Sequence, residues 1–391
     1  MSVIDESRRR IVTTGVGSLP RRHALSDLLL ARMMRQAFAA NALARETTEA
    51  VAEVVHKQVE LGVDIISDGE QSKTSFQHYI ADRLTGLEPV APKAGERRTR
   101  ENTAFPTFYK DGAHSGSQQA RLACTGPIKY VGQKQLGEDI ANFKAALKSV
   151  PLGVNPLGAF IPSVSPSSCA GTMENKYYKS EEEHLLAVAE ALREEYEGIV
   201  AAGFEVQIDD PRLAMHYMMS PEETPEDSRK WARHRIEILN HALRNIPPDK
   251  IRHHTCYGIN IGPRTSDFEM KYLADLIVTI RAKYYSFEMA NPRHEHEWEI
   301  WQTVKLPDDK VLLPGCITQA SVVVEHPELV AQRITRVAKI VGREQVIASA
   351  DCGFASTLYT NKPPEIEPEI VWAKFKSLVE GARFASKALW A

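Results

Sequence analysis

The chain has 391 residues, of which 43% are hydrophobic and 25% are charged, and its formal net charge is −3. This length accommodates one large α/β domain with insertions or two ordinary domains, and the nearly balanced charge gives no reason to expect nucleic acid or an anionic membrane as a partner. The N-terminal residues contain no apolar run of signal-peptide length, and no stretch of about 18 apolar residues occurs elsewhere, so we expect a cytoplasmic protein. The five cysteines are widely spaced, which in a reducing compartment favours free thiols or metal ligands over a disulfide framework.

Short β-rich segments alternate with long amphipathic segments, as is typical of βα units around a parallel sheet. Eight segments are predicted to be strands, at residues 11–14, 64–67, 157–161, 205–208, 251–255, 284–287, 311–314 and 346–349. Helices are predicted at residues 44–61, 180–202, 225–245, 327–341 and 368–385. The second of these is the best defined, because its apolar residues recur at spacings of three and four and Ser180 with Glu183 predicts a capping box. Eight strands with interleaved helices predict one (β/α)8 TIM barrel over residues 1–391.

The region from about residue 88 to residue 153 does not fit the eight-fold count. It contains a polar, glycine-containing stretch at residues 93–119, a predicted extra strand or hairpin at residues 121–131 and a predicted helix at residues 138–149. Because long loops in compact domains are usually functional, we expect an inserted loop and hairpin region over the catalytic face of the barrel.

Chemically capable side chains follow the predicted strands. In a (β/α)8 barrel the active site lies on the loops after the carboxyl ends of the strands. The candidates after strands one, two, four, five, six and eight are Ser18, Glu70, Asp209, His254 with Cys256, Glu288, and Cys352. Both acids also have a structural interpretation. Glu70 could be a solvated turn residue, and Asp209 could belong to a turn that ends its strand before Pro211.

The His-x-Cys pair at His254 and Cys256 predicts a metal site. In an extended segment, residues two apart point to the same side, and Zn²⁺ favours a combination of nitrogen and sulfur ligands. The pair alone is weak evidence, because a buried histidine and a small apolar cysteine would leave the same pattern. Glu288 and Cys352 strengthen it, since both follow strands of the same predicted barrel, and Cys316 could take the place of Cys352.

Other polar clusters are weaker candidates. The segment from His294 to Glu297 contains two histidines and two glutamates but lacks the i, i+4 histidine spacing of a zinc-protease helix, so we interpret it as a solvated helix face. Cys124 and Cys169 have no supporting neighbours and are interpreted as structural.

Six motifs, in chain order, resemble those of one family. The motifs are GVGSLPR, DIISDGEQ, VQIDDP, HHTCYG, FEMAN and ADCGF. They are similar to the C-terminal catalytic barrel of cobalamin-independent methionine synthase and its single-barrel relatives. The resemblance implies a zinc site formed by His254, Cys256, Glu288 and Cys352. It also implies a set of substrate contacts. The carboxylates of Glu70 and Asp209 would hold the substrate ammonium, and Ser18 with nearby backbone would meet the substrate carboxylate.

The chain departs from the family pattern in two respects. Family members that use methyltetrahydrofolate polyglutamate carry a second, N-terminal barrel, for which 391 residues leave no room. The family also uses a histidine after the seventh strand to donate a proton to the leaving folate, and Ala320 stands at that position. Either the proton comes from another group, for which His326 is the catalytic candidate, or the methyl donor is not methylfolate. His326 also fits a structural role at the start of a helix.

The resemblance favours zinc-dependent methyl or alkyl transfer to a thiol, with homocysteine as the thiol and 5-methyltetrahydrofolate or another compound as the methyl donor. An alternative is a relative that opens epoxides with a thiol such as coenzyme M, which would need anion-binding groups in place of the two carboxylates. A further alternative is a metal-free barrel enzyme related to uroporphyrinogen decarboxylase. The last alternative is a non-catalytic carrier of a thiol or a metal, which would leave the carboxylates of Glu70 and Asp209 unexplained. An anionic or aromatic donor stays open because of Lys73, His78, Arg212 and His216.

Overall fold

The structure is a computed structural model that describes residues 3–90, 98–110, 121–151, 153, 155–258, 262–355, 358 and 366–391. Much of the polar stretch predicted within the insertion, at residues 93–97 and 111–119, lies outside the described residues. The strands are β1 Val12–Thr13, β2 Ile65–Ser67, β3 Leu87–Val90, β4 Arg121–Cys124, β5 Gly158–Val164, β6 Met173–Asn175, β7 Glu205–Asp209, β8 Ile251–Thr255, β9 Tyr284–Phe287, β10 Val311–Ile317 and β11 Ile347–Ala350.

Eight strands form one sheet in the order β1-β11-β10-β9-β8-β7-β5-β2. Every neighbouring pair in this sheet is parallel. A parallel bridge between Thr14 and Ile65 joins the first strand of the order to the last. All eight predicted strands and the (β/α)8 barrel are therefore confirmed.

An aspartate at the start of β2 stabilises the closure of the barrel. The Asp64 carboxylate accepts hydrogen bonds from the Thr13 amide at 2.8 Å and from the Thr13 hydroxyl at 2.9 Å. Arg10 donates to both oxygens of the same carboxylate, at 2.6 and 2.9 Å. The short β1 strand is thus attached to β2 by side chains as well as by the backbone bridge.

The helices surround the barrel and supply the outer layer of its core. They are α1 Val3–Ser7, α2 His23–Met33, α3 Ala40–Glu60, α4 Arg100–Ala104, α5 Pro106–Tyr109, α6 Gln133–Lys148, α7 Pro166–Ala170, α8 Glu181–Ala201, α9 Pro211–Met219, α10 Pro225–Ala242, α11 Ala274–Ile277, α12 Pro327–Val341 and α13 Pro368–Leu389. The five predicted helices correspond to α3, α8, α10, α12 and α13, and the helix predicted in the insertion corresponds to α6. The capping box predicted for α8 is only half present, because the Ser180 hydroxyl accepts from the Glu183 amide while the Glu183 carboxylate accepts from the Lys179 amide.

The inserted region forms a small second sheet. β3 pairs antiparallel with β4, and β4 pairs parallel with β6. Of the extra strand or hairpin predicted at residues 121–131, the structure has a single strand, β4, whose antiparallel partner is β3. A further antiparallel bridge joins Leu84 to Tyr130. Because β6 follows the barrel strand β5 in the chain, the small sheet is built from residues on both sides of that strand.

A buried glutamate of α8 links the inserted region to the barrel. Glu195 is 1% exposed and accepts hydrogen bonds from the hydroxyls of Tyr79 at 2.5 Å, Tyr130 at 2.7 Å and Ser163 at 2.9 Å, and from Arg83 at 3.0 Å. Burial opposes ionisation of this carboxyl, but the charges of Arg83 and Lys73 and the hydrogen bonds from the two tyrosines together outweigh burial and lower the pKa of Glu195. We refer to Glu195 and its four donors as the Glu195 hub.

Candidate metal centre and substrate pocket

A pocket of about 330 Å³ lies at the carboxyl ends of the barrel strands, where active sites of this fold occur. Six of the seven predicted metal and substrate residues line it, namely Ser18, Glu70, Asp209, His254, Cys256 and Cys352. The remaining lining is mostly apolar or glycine, namely Val16, Phe76, Pro211, Gly258 and Gly353. The barrel therefore brings side chains that are far apart in the sequence to one place.

Three of the predicted metal ligands form a compact cluster. Within the described part of the chain, potential ligand atoms of His254, Cys256 and Cys352 all lie within 4.8 Å of one another, and all three residues are buried. His254 is the penultimate residue of β8 and Cys256 lies two residues further on, so the alternation of an extended segment places both on the same side. Cys352 follows β11. We refer to these three residues as the His-Cys-Cys cluster.

The protonation chemistry of the cluster suits a metal ion. Nδ1 of His254 lies 3.2 Å from the Ser286 hydroxyl, while Nε2 is buried without a hydrogen-bond partner in the described structure. Burial, with the neighbouring charges of His253 and Arg252, lowers the pKa of His254 to about 3. The imidazole is therefore neutral at physiological pH and keeps a free lone pair, which is the form that binds metals.

The two cysteines add the sulfur ligands that zinc prefers. The hydrogen bond with Cys256, together with burial, raises the pKa of Cys352 well above its usual value. Two adjacent buried thiols ionise together only when a cation compensates their charge. One nitrogen and two sulfurs fit Zn²⁺, and three protein ligands with one open position are typical of a catalytic zinc site.

Glu288, predicted as the fourth ligand, has other partners in this structure. It lies directly after β9 and is fully buried. Its Oε1 accepts from the Tyr257 amide at 2.9 Å, and its Oε2 accepts from Arg264 at 2.9 Å and from the Asn291 side-chain amide at 2.8 Å. Burial raises the pKa of Glu288, although Arg264 opposes this. The carboxylate is thus adjacent to the pocket but separate from the His-Cys-Cys cluster.

Asp351, which precedes Cys352, orients the loop that carries Glu288. Its Oδ1 accepts from the amides of Met289 and Ala290, both at 2.7 Å, and its Oδ2 accepts from the Asn291 amide at 2.9 Å. Gly315 of β10 makes this possible, because a Cβ there would lie 1.9 Å from Asp351 Oδ1. No role for Asp351 was predicted from the sequence, in which its position within the ADCGF motif is the one signal.

Two buried carboxylates form the other side of the pocket. Glu70 is 2% and Asp209 is 5% exposed, so the interpretation of Glu70 as a solvated turn residue is wrong. Glu70 Oε2 has no hydrogen-bond partner among the described residues, whereas Asp209 Oδ1 accepts from Gln207 at 2.9 Å. Burial, and then the charge of Glu70, raise the pKa of Asp209 well above its usual value. This arrangement favours a cationic group such as an ammonium between the two acids.

The backbone around Glu70 is shaped to bring its carboxylate into the pocket. Glu70 has a φ of 54°, a conformation that residues with a Cβ rarely adopt, and its amide donates to Asp68 Oδ1 at 3.0 Å. Gly17 packs against the carboxylate, since a Cβ at Gly17 would lie 2.8 Å from Glu70 Oε1. The GVGSLPR and DIISDGEQ motifs therefore fit together physically.

Ser18 joins the loop after β1 to the loop after β11. Its carbonyl accepts from the Phe354 amide at 2.9 Å, and the Ala355 amide donates to its hydroxyl at 3.4 Å. The hydroxyl is thus held beside the cysteine that follows β11.

His326 and Cys316 lie elsewhere. His326 is exposed and is the N-cap of α12, where its Nδ1 accepts from the Glu328 amide at 3.2 Å. It does not line the pocket, so its role as proton donor stays a prediction without structural support. Cys316 is buried and its sulfur lies 3.4 Å from the Pro314 carbonyl oxygen, outside the His-Cys-Cys cluster. Cys124 and Cys169 are also buried free cysteines.

The interpretation of residues 294–297 as a solvated helix face is wrong for two of the four. His294 is 1% and Glu297 is 5% exposed. The His294 ring lies 2.8 Å from Glu297 and 2.9 Å from Asp267, and it stacks on Tyr257 with ring centroids 3.9 Å apart. Burial lowers the pKa of His294, but these two carboxylates outweigh burial and raise it to about 9. This histidine is part of a buried ion-pair network that supports the loop carrying Tyr257.

Fold and site together define a (β/α)8-barrel protein with a candidate thiolate-rich metal centre. A family model described as "Cobalamin-independent synthase, Catalytic domain" matches residues 11–111 and 169–368. The chain belongs to this family.

Similar proteins match most of the length of the chain. The methionine synthase of Sulfolobus acidocaldarius is 24% identical over 348 residues, which is 88% of this chain and 85% of the relative. The uncharacterized protein YxjH of Bacillus subtilis is 24% identical over 337 residues, covering 84% and 83% of the two chains. A B12-independent methionine synthase from a Shewanella species, solved in complex with selenomethionine, superimposes with a TM-score of 0.71 at 18% identity and covers 97% of this chain and 99% of its own, which shows the same fold. No helix within the described residues is long and apolar enough to cross a membrane.

Proposed function

We propose that the protein is a zinc-dependent methyltransferase that transfers a methyl group to the sulfur of homocysteine and so forms methionine. The observation that carries the proposal is that one pocket contains both the His-Cys-Cys cluster and the carboxylates of Glu70 and Asp209. A thiol-activating group and an ammonium-binding group in the same pocket match a substrate that has both functions. The methionine synthases among the relatives support this assignment.

The residues that would hold the metal are His254, Cys256 and Cys352, with Glu288 as the further ligand predicted from the sequence. Zn²⁺, when bound, supplies the positive charge that allows a substrate thiol to lose its proton at neutral pH while its sulfur stays nucleophilic. Ser286 fixes the His254 ring through Nδ1, which leaves Nε2 for the metal.

The amino-acid part of the substrate is bound by the opposite side of the pocket. Glu70 and Asp209 hold the ammonium, and Gln207 keeps Asp209 in place through its hydrogen bond at 2.9 Å. Ser18 and the backbone of the loop after β11 meet the substrate carboxylate. These contacts fix the thiol end of the substrate at the His-Cys-Cys cluster.

The reaction then requires mainly positioning. The substrate thiol gives up its proton, the sulfur forms a bond to the methyl carbon, and the bond between that carbon and the donor breaks with its electron pair leaving on the donor. The leaving donor takes up one proton, which balances the proton that the thiol loses. Because the pocket holds the sulfur in line with the methyl group, the entropic part of the activation barrier is lower. Val16, Phe76 and Pro211 give the pocket apolar walls, which exclude water from the sulfur.

The pocket disfavours the alternatives. Among the described residues that line it, two are carboxylates and none is lysine or arginine, so a sulfonate thiol such as coenzyme M would be repelled. A metal-free decarboxylase-like barrel leaves the buried, unpartnered His254 Nε2 beside two thiols without a role. A carrier function leaves the two carboxylates unexplained.

The test is zinc analysis followed by thiol binding. We expect the purified protein to bind one zinc ion per chain and, when loaded, to bind homocysteine but not coenzyme M in isothermal titration calorimetry. Methionine formation with candidate methyl donors, 5-methyltetrahydrofolate first, then tests turnover. A protein that binds no zinc, or that prefers coenzyme M to homocysteine, would contradict the proposal.

A further inference from the structure

Arg21, the last residue of the GVGSLPR motif, connects three loops at the carboxyl face of the barrel. It follows β1, which lies between β2 and β11 in the closed barrel. Its Nη2 donates to the carbonyls of Glu70 at 2.9 Å and Lys73 at 3.1 Å, in the loop after β2. Its Nη1 donates to the carbonyl of Ala355, in the loop after β11. One guanidinium therefore joins the two loops on either side of its own.

The loops that Arg21 joins carry the two halves of the proposed amino-acid site. The Glu70 carboxylate belongs to the ammonium side. The Ala355 amide donates to the Ser18 hydroxyl at 3.4 Å, and this hydroxyl with the loop after β11 belongs to the carboxylate side. Arg21 binds the backbone of Glu70 where φ is 54°, a conformation that persists only when the surroundings enforce it. The position of Arg21 thus determines how far apart the two sides lie.

An arginine suits this position because of its shape and its charge. A guanidinium presents several donors in one rigid plane, so it can bind carbonyls in two directions at once. Burial lowers the pKa of Arg21, and the charges of Glu70 and Asp68 oppose this effect. The hydrogen bonds of Arg21 go to backbone carbonyls, while Glu70 Oε2 has no partner among the described residues. The guanidinium therefore positions Glu70 and leaves its carboxylate available to a ligand.

Other hydrogen bonds keep these loops folded without Arg21. Gln71 is fully buried, and its side-chain amide donates to the Leu19 carbonyl at 3.1 Å. The Phe354 amide donates to the Ser18 carbonyl at 2.9 Å. Each of these bonds joins the loop after β1 to one neighbouring loop. Loss of the Arg21 side chain should therefore loosen the spacing across the site without unfolding it.

We propose that Arg21 is a positioning residue that fixes the ammonium-binding and carboxylate-binding sides of the pocket at the spacing of an α-amino acid. The inference rests on the proposed function and deepens it, because it names a residue that selects a thiol with both groups on one carbon. When the two sides are held rigidly, the second contact forms within a substrate that is already bound, which raises affinity. A thiol with one of the two groups gains nothing from a fixed spacing, because the loop that it contacts can move with it.

The experiment compares three thiols that differ only in these two groups. They are homocysteine, 3-aminopropane-1-thiol, which lacks the carboxylate, and 4-mercaptobutanoate, which lacks the ammonium. Their affinities for the zinc-loaded wild type and for Arg21→Met are measured by isothermal titration calorimetry. We expect R21M to bind homocysteine about tenfold more weakly, and to weaken each one-group thiol by less than about threefold.

The sign of the change separates positioning from charge. Loss of a cation beside Glu70 would by its charge alone strengthen the binding of an ammonium, so a weaker affinity for homocysteine requires the loss of geometry. Arg21→Lys keeps the charge but not the planar fork of donors, and it should also weaken homocysteine selectively. Full affinity for homocysteine in R21K would overturn the inference. R21K also takes the place of R21M if circular dichroism shows that R21M is unfolded.

Arg22→Met is the matched control. Arg22 is the next residue in the chain, and its side chain pairs at the surface with Glu49 at 2.7 Å. The substitution should leave all three affinities unchanged. Zinc content is measured on every sample, and R21M should retain the zinc of the wild type, because none of the contacts of Arg21 involves the His-Cys-Cys cluster.

The outcomes distinguish this inference from the proposed function. A wild type that binds no zinc, or that binds homocysteine no better than the one-group thiols, would overturn the proposed function and this inference with it. A wild type that prefers homocysteine, with R21M either unchanged or weakened equally for all three thiols, would overturn only the role of Arg21. A selective loss of homocysteine affinity with zinc retained would support it.

Discussion

Replacing Glu70 with glutamine tests the ammonium-binding carboxylates, because it removes one charge and keeps the shape of the side chain. In the free protein the Glu70 carboxylate is 2% exposed and one of its oxygens has no partner in the described structure. Its charge also raises the pKa of Asp209. Relief of this repulsion should therefore raise the free energy of unfolding by about 1 kcal/mol, a typical exchange of stability against function at a binding site.

The same substitution should weaken homocysteine binding. A hydrogen bond to a charged group contributes about 1.5–3 kcal/mol, which corresponds to roughly a 10- to 100-fold loss of affinity when one of two carboxylates becomes neutral. Asp209 remains to hold the ammonium, so binding is reduced and not abolished. A thiol of the same length without the amino group, 4-mercaptobutanoate, should bind wild type and variant equally.

Calorimetric titration of zinc-loaded wild type and E70Q with the two thiols checks this expectation, with zinc content measured on the same samples. An equal loss of affinity for both thiols, or a loss of zinc, would show that Glu70 supports the fold or the metal and does not bind an ammonium. A gain in melting temperature without any change in homocysteine affinity would place the ammonium elsewhere.

Cys256→Ser should lower zinc affinity by at least about tenfold in chelator competition, while Cys316→Ser, an equally buried cysteine outside the cluster, should retain zinc; the reverse result would reassign the sulfur ligand. Burial lowers the pKa of His294, but two carboxylates outweigh burial and raise this pKa from 6.5 to about 9. The ion pairs of His294 therefore stabilise the fold fully below pH 6.5, and about 3 kcal/mol of this stability is lost as the pH rises through 9. Denaturant unfolding at several pH values should show this slope in the wild type, and an equal slope in His294→Asn would refute the assignment. Gly315→Ala places a Cβ 1.9 Å from a buried carboxylate oxygen and should lower the free energy of unfolding by roughly 2 kcal/mol or more. Gly137 lies in a helix, and a Cβ added there meets no atom within 4 Å, so Gly137→Ala should raise the free energy of unfolding by up to about 1 kcal/mol. Equal melting temperatures for the two variants would contradict the packing argument.

The barrel and the centre of its site follow from local patterns in the sequence. The eight strands were predictable because each is a short apolar segment followed by polar residues, and several are followed in turn by a long amphipathic helix. The convergence of Glu70, Asp209, His254, Cys256 and Cys352 then follows from the geometry of the fold, which gathers the carboxyl ends of the strands at one face. The spacing of His254 and Cys256 further specified that the two point to the same side.

The surroundings of the site were not predictable in the same way. The contact of Glu101 with Arg264 spans 163 residues, and that of Arg264 with Glu288 spans 24 residues through a backbone of positive φ. Neither contact leaves a periodic or motif-like signal. His294 was misread for a related reason, since a run of charged residues gives the same pattern whether its partners are water or buried carboxylates.

The Glu195 hub has a consequence for attempts to shorten this protein. One of its donors, Tyr130, lies within the inserted region, a second, Arg83, precedes that region, and a third, Ser163, belongs to a barrel strand. Excising the inserted region would remove the Tyr130 hydroxyl from Glu195 and the Asp139 carboxylate from Arg83. Each of these buried groups would lose a partner, at a cost of about 1–3 kcal/mol. The region is therefore not a removable module, and a shortened version of this protein would need compensating substitutions at both Glu195 and Arg83 before any residues were deleted.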